Sequence, residues 1–273
     1  MFGFQSFEKR FLRRYGPWAL VAGGSEGIGA AFAEKLASMG FHLVLVSHEE
    51  EPLRTLAAQL AARHGVAVEP VVFDLSRADV EEGLVEAAAG KDVGLVIYNA
   101  ALSLIGRFLE TPLHRHLAAL ALNCRGPLVA AHVFGERLKA RGGGGLVLLS
   151  SMAGLQGSAM VAGYAATKAF NRVLAEGLWY ELRQSGVDVL AALPGPTRTP
   201  GYLSSKPKKT GLFNAPEMEP EAVAEGALKA LGKRPSHVCG LPNQLVTAVT
   251  GRFLPRTWAI RLFGSQTTRM YEG

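Results

Sequence analysis

Tyr164 and Lys168, in the run YAATK, are the pair whose types and spacing could handle a proton. Four residues apart on a helix, they share one face. A free tyrosine titrates near pH 10, too high for an efficient base near neutrality. A lysine ammonium beside it would favour the phenolate. That tuning suits a group that gives or takes a proton while hydride moves to or from a carbonyl carbon. Such pairs are common on exposed helices, so the reading depends on position. Ser151 precedes Tyr164 by thirteen residues and ends an apolar run. Its hydroxyl could hold a substrate oxygen beside the phenol, as an oxyanion donor does. Ser150 is the neighbouring alternative, but alternation along a strand turns only one of the two into a cleft.

The surrounding pattern supplies elements to position that pair. Short apolar runs at 18–23, 41–47, 66–73, 93–99, 146–151 and 187–193 read as strands. Between them, helical patterns cover 27–40, 51–65, 76–89, 112–140 and 159–185, the fourth disturbed near Gly126-Pro127. The strands are nearly continuous in apolar residues, as in a sheet covered on both faces. Repeated β-α units predict an α/β fold: a doubly wound parallel sheet of about seven strands in three αβα layers. Beyond 193 the rhythm breaks. Residues 196–220 are rich in Pro, Gly, Ser and Lys and read as a loop over a substrate. A helix near 219–232 and a strand near 236–240 complete the sheet, and 241–273 forms a flap. We expect a single domain over 1–273.

The first strand feeds Gly23-Gly24-Ser25-Glu26-Gly27-Ile28-Gly29 and then a helix. Glycines let backbone approach a pyrophosphate, whose charge is met by amides at the helix N-terminus. The spacing is Gly-x-x-x-Gly-x-Gly rather than Gly-x-Gly-x-x-Gly. AGGSEGIG (22–29) resembles the Thr-Gly-x-x-x-Gly-Ile-Gly pattern of the short-chain dehydrogenase/reductase family, with Ala22 in place of Thr. The serine-to-tyrosine spacing in 150–170 is similar to that family's. So are LNCRG (122–126), YNAA (98–101) and PGPTRT (194–199). The resemblance covers about 18–240, with the motifs in the family's order, and is nearest to the ketoacyl-reductase and hydroxysteroid-dehydrogenase branch.

That resemblance implies a Rossmann-like nicotinamide-dependent oxidoreductase interconverting a hydrophobic ketone or 3-oxoacyl group and a secondary alcohol. Asn123, Ser151, Tyr164 and Lys168 are its implied catalytic set, with Asn123 holding a water that links Lys168 to solvent. An oxidised nicotinamide would further favour the Tyr164 phenolate, and Lys168 would hold the nicotinamide ribose. Gly23, Ser25, Glu26, Gly27, Ile28 and Gly29 would meet the pyrophosphate side. Ser47 and His48 end the second strand, where an acidic residue favours NAD and a basic one NADP. His48 turns the expectation to NADP(H), with NAD(H) as the alternative, although Glu26, Glu49, Glu50 and Glu51 are close in sequence. Asp74 and Leu75 would meet adenine, or Asp74 would cap the next helix. Asn99, Ala100 and Ala101 would line the cofactor cleft, and Pro194, Gly195, Thr197 and Thr199 would meet the carboxamide. Relatives pair through their two long helices, which implies a homodimer or homotetramer.

Composition narrows the alternatives. In 273 residues, 48% are hydrophobic and 19% charged, enough for a core. Cys124 and Cys239 make neither a disulfide framework nor a metal spacing, so no metal is expected and a cytoplasmic, reducing setting is the simplest. The first residues lack the apolar run of a signal peptide and no stretch of about eighteen uninterrupted apolar residues exists, so neither a leader nor a transmembrane helix is expected. The net charge of +6 comes without a nucleic-acid motif, so nucleic acid is not expected as a partner. It could attract cofactor phosphates, a carrier protein or lipid, through Lys206, Lys208, Lys209 and the arginines at 252, 256, 261 and 269. Packing of the tail over the site is the expectation, and membrane contact the alternative. The competing function is a catalytically silent nucleotide sensor or interaction module on the same fold, against which the intact four-residue set argues.

Overall fold

The computed structural model describes residues 6–208 and 216–272, so Lys209 lies outside the described residues. Seven parallel strands form one sheet in the order β3-β2-β1-β4-β5-β6-β7. They are β1 (Trp18–Ala22), β2 (His42–Ser47), β3 (Val68–Val72), β4 (Val93–Tyr98), β5 (Gly144–Leu149), β6 (Val187–Leu193) and β7 (Ser236–Val238). The order reverses between β1 and β4, which opens a crevice beyond their carboxyl ends.

Helices cover both faces: α1 (Phe7–Tyr15), α2 (Gly27–Ser38), α3 (Glu50–His64), α4 (Val80–Ala87), α5 (Leu113–Leu120), α6 (Gly126–Ala140) and α7 (Ala162–Leu182). After β6 come α8 (Pro200–Ser204), α9 (Pro220–Ala230), α10 (Leu241–Phe253) and α11 (Arg256–Tyr271). One core gathers Phe32, Leu36 and Phe41 with Leu228 of α9 against the sheet. The other gathers Leu84, Phe134 and Leu138 on the opposite face.

Three local departures from the sequence expectation have physical causes. The helix α1 follows Ser6, whose hydroxyl accepts from the Lys9 amide at 3.4 Å, and buries Phe11 and Tyr15. The Tyr15 hydroxyl donates to Asp188 Oδ2 of β6 at 2.6 Å, a tie between residues 173 positions apart that no local pattern announces. The helix expected over 76–89 begins only at Val80, because Asp74 and Ser76 form a turn ahead of it.

The long helix expected over 112–140 is present as α5 and α6 joined by a π turn at Ala121–Arg125. Pro127 has no amide to donate four residues back, to the Asn123 carbonyl, and Gly126 N instead donates to Ala121 O. The Tyr98 hydroxyl donates to Leu122 O in that turn at 3.0 Å. The combined helix Leu113–Ala140 is long and apolar enough to cross a membrane, with mean hydropathy 1.4 over an 18-residue window. Yet α6 packs Ala130, Phe134 and Leu138 fully into the second core, as a core helix does.

Candidate active site

The turn between β1 and α2 is shaped by backbone. Gly23 has φ +79°, a conformation that side chains disfavour, and a Cβ there would stand 2.6 Å from Ala100 N. A Cβ on Gly29 would overlap the Gly23 carbonyl, so Gly29 is a packing residue that brings α2 onto the strand end rather than a wall of the cavity. Asn99 Nδ2 donates to Gly23 O at 2.8 Å, and the amides of Asn99 and Ala100 both donate to Ala22 O at 2.9 Å. These bonds hold the turn that Ala22, lacking a hydroxyl, cannot tie through its side chain.

The crevice is part of a cavity of 1380 Å³. Gly23, Ser25, Glu26, Gly27, Ile28, Ser47, His48, Asp74, Leu75, Asn99, Ala100 and Ala101 line one end of it. Ser150, Ser151, Tyr164, Lys168, Pro194, Gly195, Thr197 and Thr199 line its middle. The cavity therefore joins every residue expected at the site except Gly29 and Asn123.

At the first end, the Ser25 and Ser47 hydroxyls are 2.9 Å apart, and Ser25 also donates to Glu49 Oε2 at 3.2 Å. Burial raises the Glu26 carboxyl above its usual range, Glu49 adds to this, and His48 opposes it. For Asp74 burial is outweighed by the amide and hydroxyl of Ser76, both donating to Oδ1, so its carboxyl lies below the usual range. Asp74 caps its own turn and not α4, whose N-cap is Asp79.

A dinucleotide fits this end. No side chain caps α2, so its leading amides are free to meet an anion at the glycine turn. The close approach of backbone at Gly23 leaves no room for a side chain there.

In the middle, the two serines after β5 part company. Ser150 Oγ donates to Lys168 O at 2.6 Å and so anchors α7. Ser151 is the serine that serves the phenol: its hydroxyl bonds to Tyr164 and accepts from Ala153 N at 3.1 Å. Lys168 Nζ donates to Leu149 O at 2.9 Å and lies 5.6 Å from the Tyr164 ring centroid.

Burial pushes the Tyr164 phenol up to about 12; the bond from Ser151 lowers it, and Tyr271 raises it further. Burial brings Lys168 down to about 8, against an upward pull from Cys124. In the protein by itself desolvation wins, and the pair rests as a neutral phenol beside an ammonium that loses its proton near pH 8.

Asn123 lies behind the site. It is fully buried in the π turn, away from the cavity wall. Its Oδ1 accepts from Leu102 N at 2.8 Å, while Nδ2 donates to Leu102 O at 2.9 Å and to Thr167 Oγ1 at 3.1 Å. Thr167 in turn donates to Tyr164 O. The side chain joins the strand-end loop to α7.

The loop after β6 also works mainly through backbone. Met152 N donates to Pro194 O at 3.0 Å, Thr197 Oγ1 donates to Gly195 O at 2.9 Å, and Thr199 caps α8 by accepting from Tyr202 N at 3.2 Å.

Two side chains at the candidate site escaped the sequence reading. Asn243, on the first turn of α10, is 1% exposed and donates to Cys239 O at 2.9 Å. Its Nδ2 stands 2.6 Å from where a Cβ of Gly195 would be, so it backs the loop expected to hold the carboxamide. Tyr271, at the end of α11, lines the cavity and lies within electrostatic reach of both Tyr164 and Tyr202. It is fastened by its neighbours: Glu272 pairs with Arg107 at 2.6 Å, Met270 O accepts from Lys208 N at 3.0 Å, and Thr267 bonds Ser158 at 2.9 Å. Nothing in the local sequence around 243 or 271 marks them, because their partners are set by the return of the chain over the sheet.

The model of the short chain dehydrogenase family matches residues 17–209, the span that carries the glycine turn, Ser151, Tyr164 and Lys168. The chain belongs to the short-chain dehydrogenases. It is an oxidoreductase of the branch that contains hydroxysteroid dehydrogenases and 3-oxoacyl reductases. The 7beta-hydroxysteroid dehydrogenase of Collinsella aerofaciens is 33% identical over 233 residues, covering 85% of this chain and 89% of that one. The very-long-chain 3-oxoacyl-CoA reductase of Podospora anserina is 37% identical over 186 residues, 65% of this chain but 55% of the relative. Among solved structures, a 7beta-hydroxysteroid dehydrogenase superposes with TM-score 0.85 at 30% identity, covering 93% of this chain and 99% of the other. A short-chain dehydrogenase from Sphingobium yanoikuyae in complex with NADPH gives 0.76 at 30% identity, covering 86% and 92%.

Proposed function

We propose that the protein reduces a bulky hydrophobic ketone, or in reverse oxidises the alcohol, with NADP(H) as cofactor and Tyr164 as the proton carrier. The observation that carries this is the cavity itself: one space runs from the glycine turn past Ser151, Tyr164 and Lys168 to an apolar wall from Leu245, Leu254 and Leu262. A small polar substrate would not need that wall.

When bound, the nicotinamide supplies hydride to the carbonyl carbon. The chain's residues do the rest. The leading amides of α2 and the side chain of Ser25 would hold the phosphates, with Asp74 and Leu75 at the adenine. Ser151 donates to the substrate oxygen and fixes it beside Tyr164. Tyr164, neutral at physiological pH, hands its proton to that oxygen as charge develops. Lys168, charged below about pH 8, stabilises the phenolate left behind and would bond the nicotinamide ribose. Asn123 acts as a positioning residue, through Thr167 and the carbonyl of Tyr164.

His48, exposed at the cavity rim beside Glu26, is the group that would meet a 2′-phosphate. The NADPH complex of the Sphingobium relative supports the same choice. Exposed Leu113, Leu117 and Leu120 on α5, with Phe170 and Val173 on α7, support pairing of two copies through these helices. The free thiols Cys124 and Cys239 suit a cytoplasmic setting.

Titration of the purified chain with NADPH and NADH, followed by a panel of steroid ketones and 3-oxoacyl thioesters, tests the reading. NADPH should bind more tightly, and His48→Arg should widen the gap. Folded protein that binds neither nucleotide would refute the proposal and leave an interaction module.

A further inference from the structure

One apolar stripe of α10, at the rim of the cavity, has no covering element among the described residues. Leu241, Leu245 and Val249, spaced four apart and so on one stripe, are 74%, 69% and 54% exposed. Trp258 of α11 is another large exposed apolar side chain, at 63%. Leaving side chains of this size in water is unfavourable, and a contiguous group of them marks a contact surface.

The charge around that stripe says what covers it. From Leu241 to Tyr271 the sequence has four arginines, at 252, 256, 261 and 269, and no aspartate or glutamate. Arg256 and Arg261, two residues before and three after Trp258, are exposed, and Arg256 also donates to Leu155 O at 3.3 Å. A second copy of the chain, meeting this face about a twofold axis, would set arginines against arginines and gain no compensating carboxylate from the segment. An anionic lipid surface supplies apolar depth and negative headgroups together, which is the combination that interfacial helices use.

The stripe also adjoins the cavity. Leu245 and Val249 are exposed to solvent and line the cavity as well, so the apolar wall and the apolar surface are one continuous patch. We propose that α10 and α11 dock the protein on an anionic bilayer, with the cavity mouth facing lipid so that an apolar substrate enters from the membrane. Docking itself needs only the surface; substrate entry from lipid rests on the function proposed above.

The full chain, sedimented with phosphatidylcholine vesicles with and without phosphatidylglycerol, tests this. Binding should require phosphatidylglycerol and be released by high salt. A Leu241→Glu/Trp258→Glu variant, altered outside the cavity lining, should lose about tenfold or more in vesicle affinity and keep its turnover of a water-soluble ketone. If that variant does not fold, Arg261→Glu should still weaken binding by about 25-fold, counting about fivefold for each unit of charge changed near the surface. No salt-sensitive sedimentation of the wild type would overturn the proposal. So would undiminished vesicle binding by a folded variant, or a halving of the solution mass by the substitutions without any vesicle binding, which would assign the face to a second copy. A chain that sediments with vesicles yet turns over no ketone would refute the proposed function and leave the docking intact.

Discussion

At the β1–α2 end of the cavity the wall is mainly backbone, and at the α10–α11 end it is side chains. The glycine turn is built within a few residues of sequence, from Gly23, Gly27 and Gly29, and is held by main-chain bonds to Ala22 O. The far wall is assembled from residues that meet only after the chain has crossed the sheet: Asn243 against Gly195, Thr267 on Ser158, and Glu272 on Arg107. A site for a shared cofactor can be fixed by a short motif, since backbone amides recognise phosphate whatever surrounds them. A site for a particular substrate depends on shape, and shape is set by long-range packing.

Substitutions that act on one end and spare the other sharpen this contrast. The largest effect should come from Gly29→Val. Its side chain would collide with the Gly23 carbonyl, and forced overpacking of this kind costs about 3 kcal/mol. Cofactor titration should show at least a tenfold loss of affinity, and thermal melting a lower midpoint. Next comes Asn243→Ala, which removes the donor to Cys239 O and the support behind Gly195. Unpairing a buried carbonyl costs about 1–3 kcal/mol. Because Gly195 belongs to the middle of the site, kcat should fall about tenfold while NADPH affinity changes less. An equal loss in both would break the division between the two ends.

The pH profile gives a smaller and graded effect. Tyr164 keeps its proton to about 12, whereas Lys168 loses its own near 8. Ketone reduction should therefore be level below pH 8 and decline above it, as the ammonium that stabilises the departing phenolate disappears. Lys168→Arg, cationic throughout that range, should be slower but lack the decline. The smallest effect belongs to Glu272→Gln, which loosens the pairing with Arg107 at the tip of α11. Exposed pairs are worth up to about 1 kcal/mol, so substrate KM should rise by at most about fivefold with cofactor affinity unchanged.

The same contrast explains what the sequence revealed. The strands of the sheet and the Tyr164-Lys168 helix were legible because apolar periodicity and spacing are local. The π turn was visible only as a disturbance at Gly126-Pro127, since its consequence depends on Tyr98 and Leu102 reaching it from β4 and the loop beyond. Asn123 was found by its motif, but the bonds that hold its side chain were not legible, because they come from residues 21 and 44 positions away. The burial of Tyr164 was not legible for a related reason. A neighbouring charge can be read from i and i+4, but depth of burial is a property of the closed fold. Tyr271 and α1 were not legible at all: their partners, Tyr164 for one and Asp188 for the other, are far off in the chain.

The central claim is that Tyr164 delivers the proton in a cavity whose cofactor end does not depend on it. It is tested most directly by measuring NADPH binding and single-turnover ketone reduction side by side for wild type and Tyr164→Phe. The account predicts equal NADPH affinity and a rate about 10²- to 10⁴-fold lower in the variant, the span expected for loss of a positioned general acid. Wild-type turnover in Tyr164→Phe would contradict it, and would require another group lining the cavity to carry the proton.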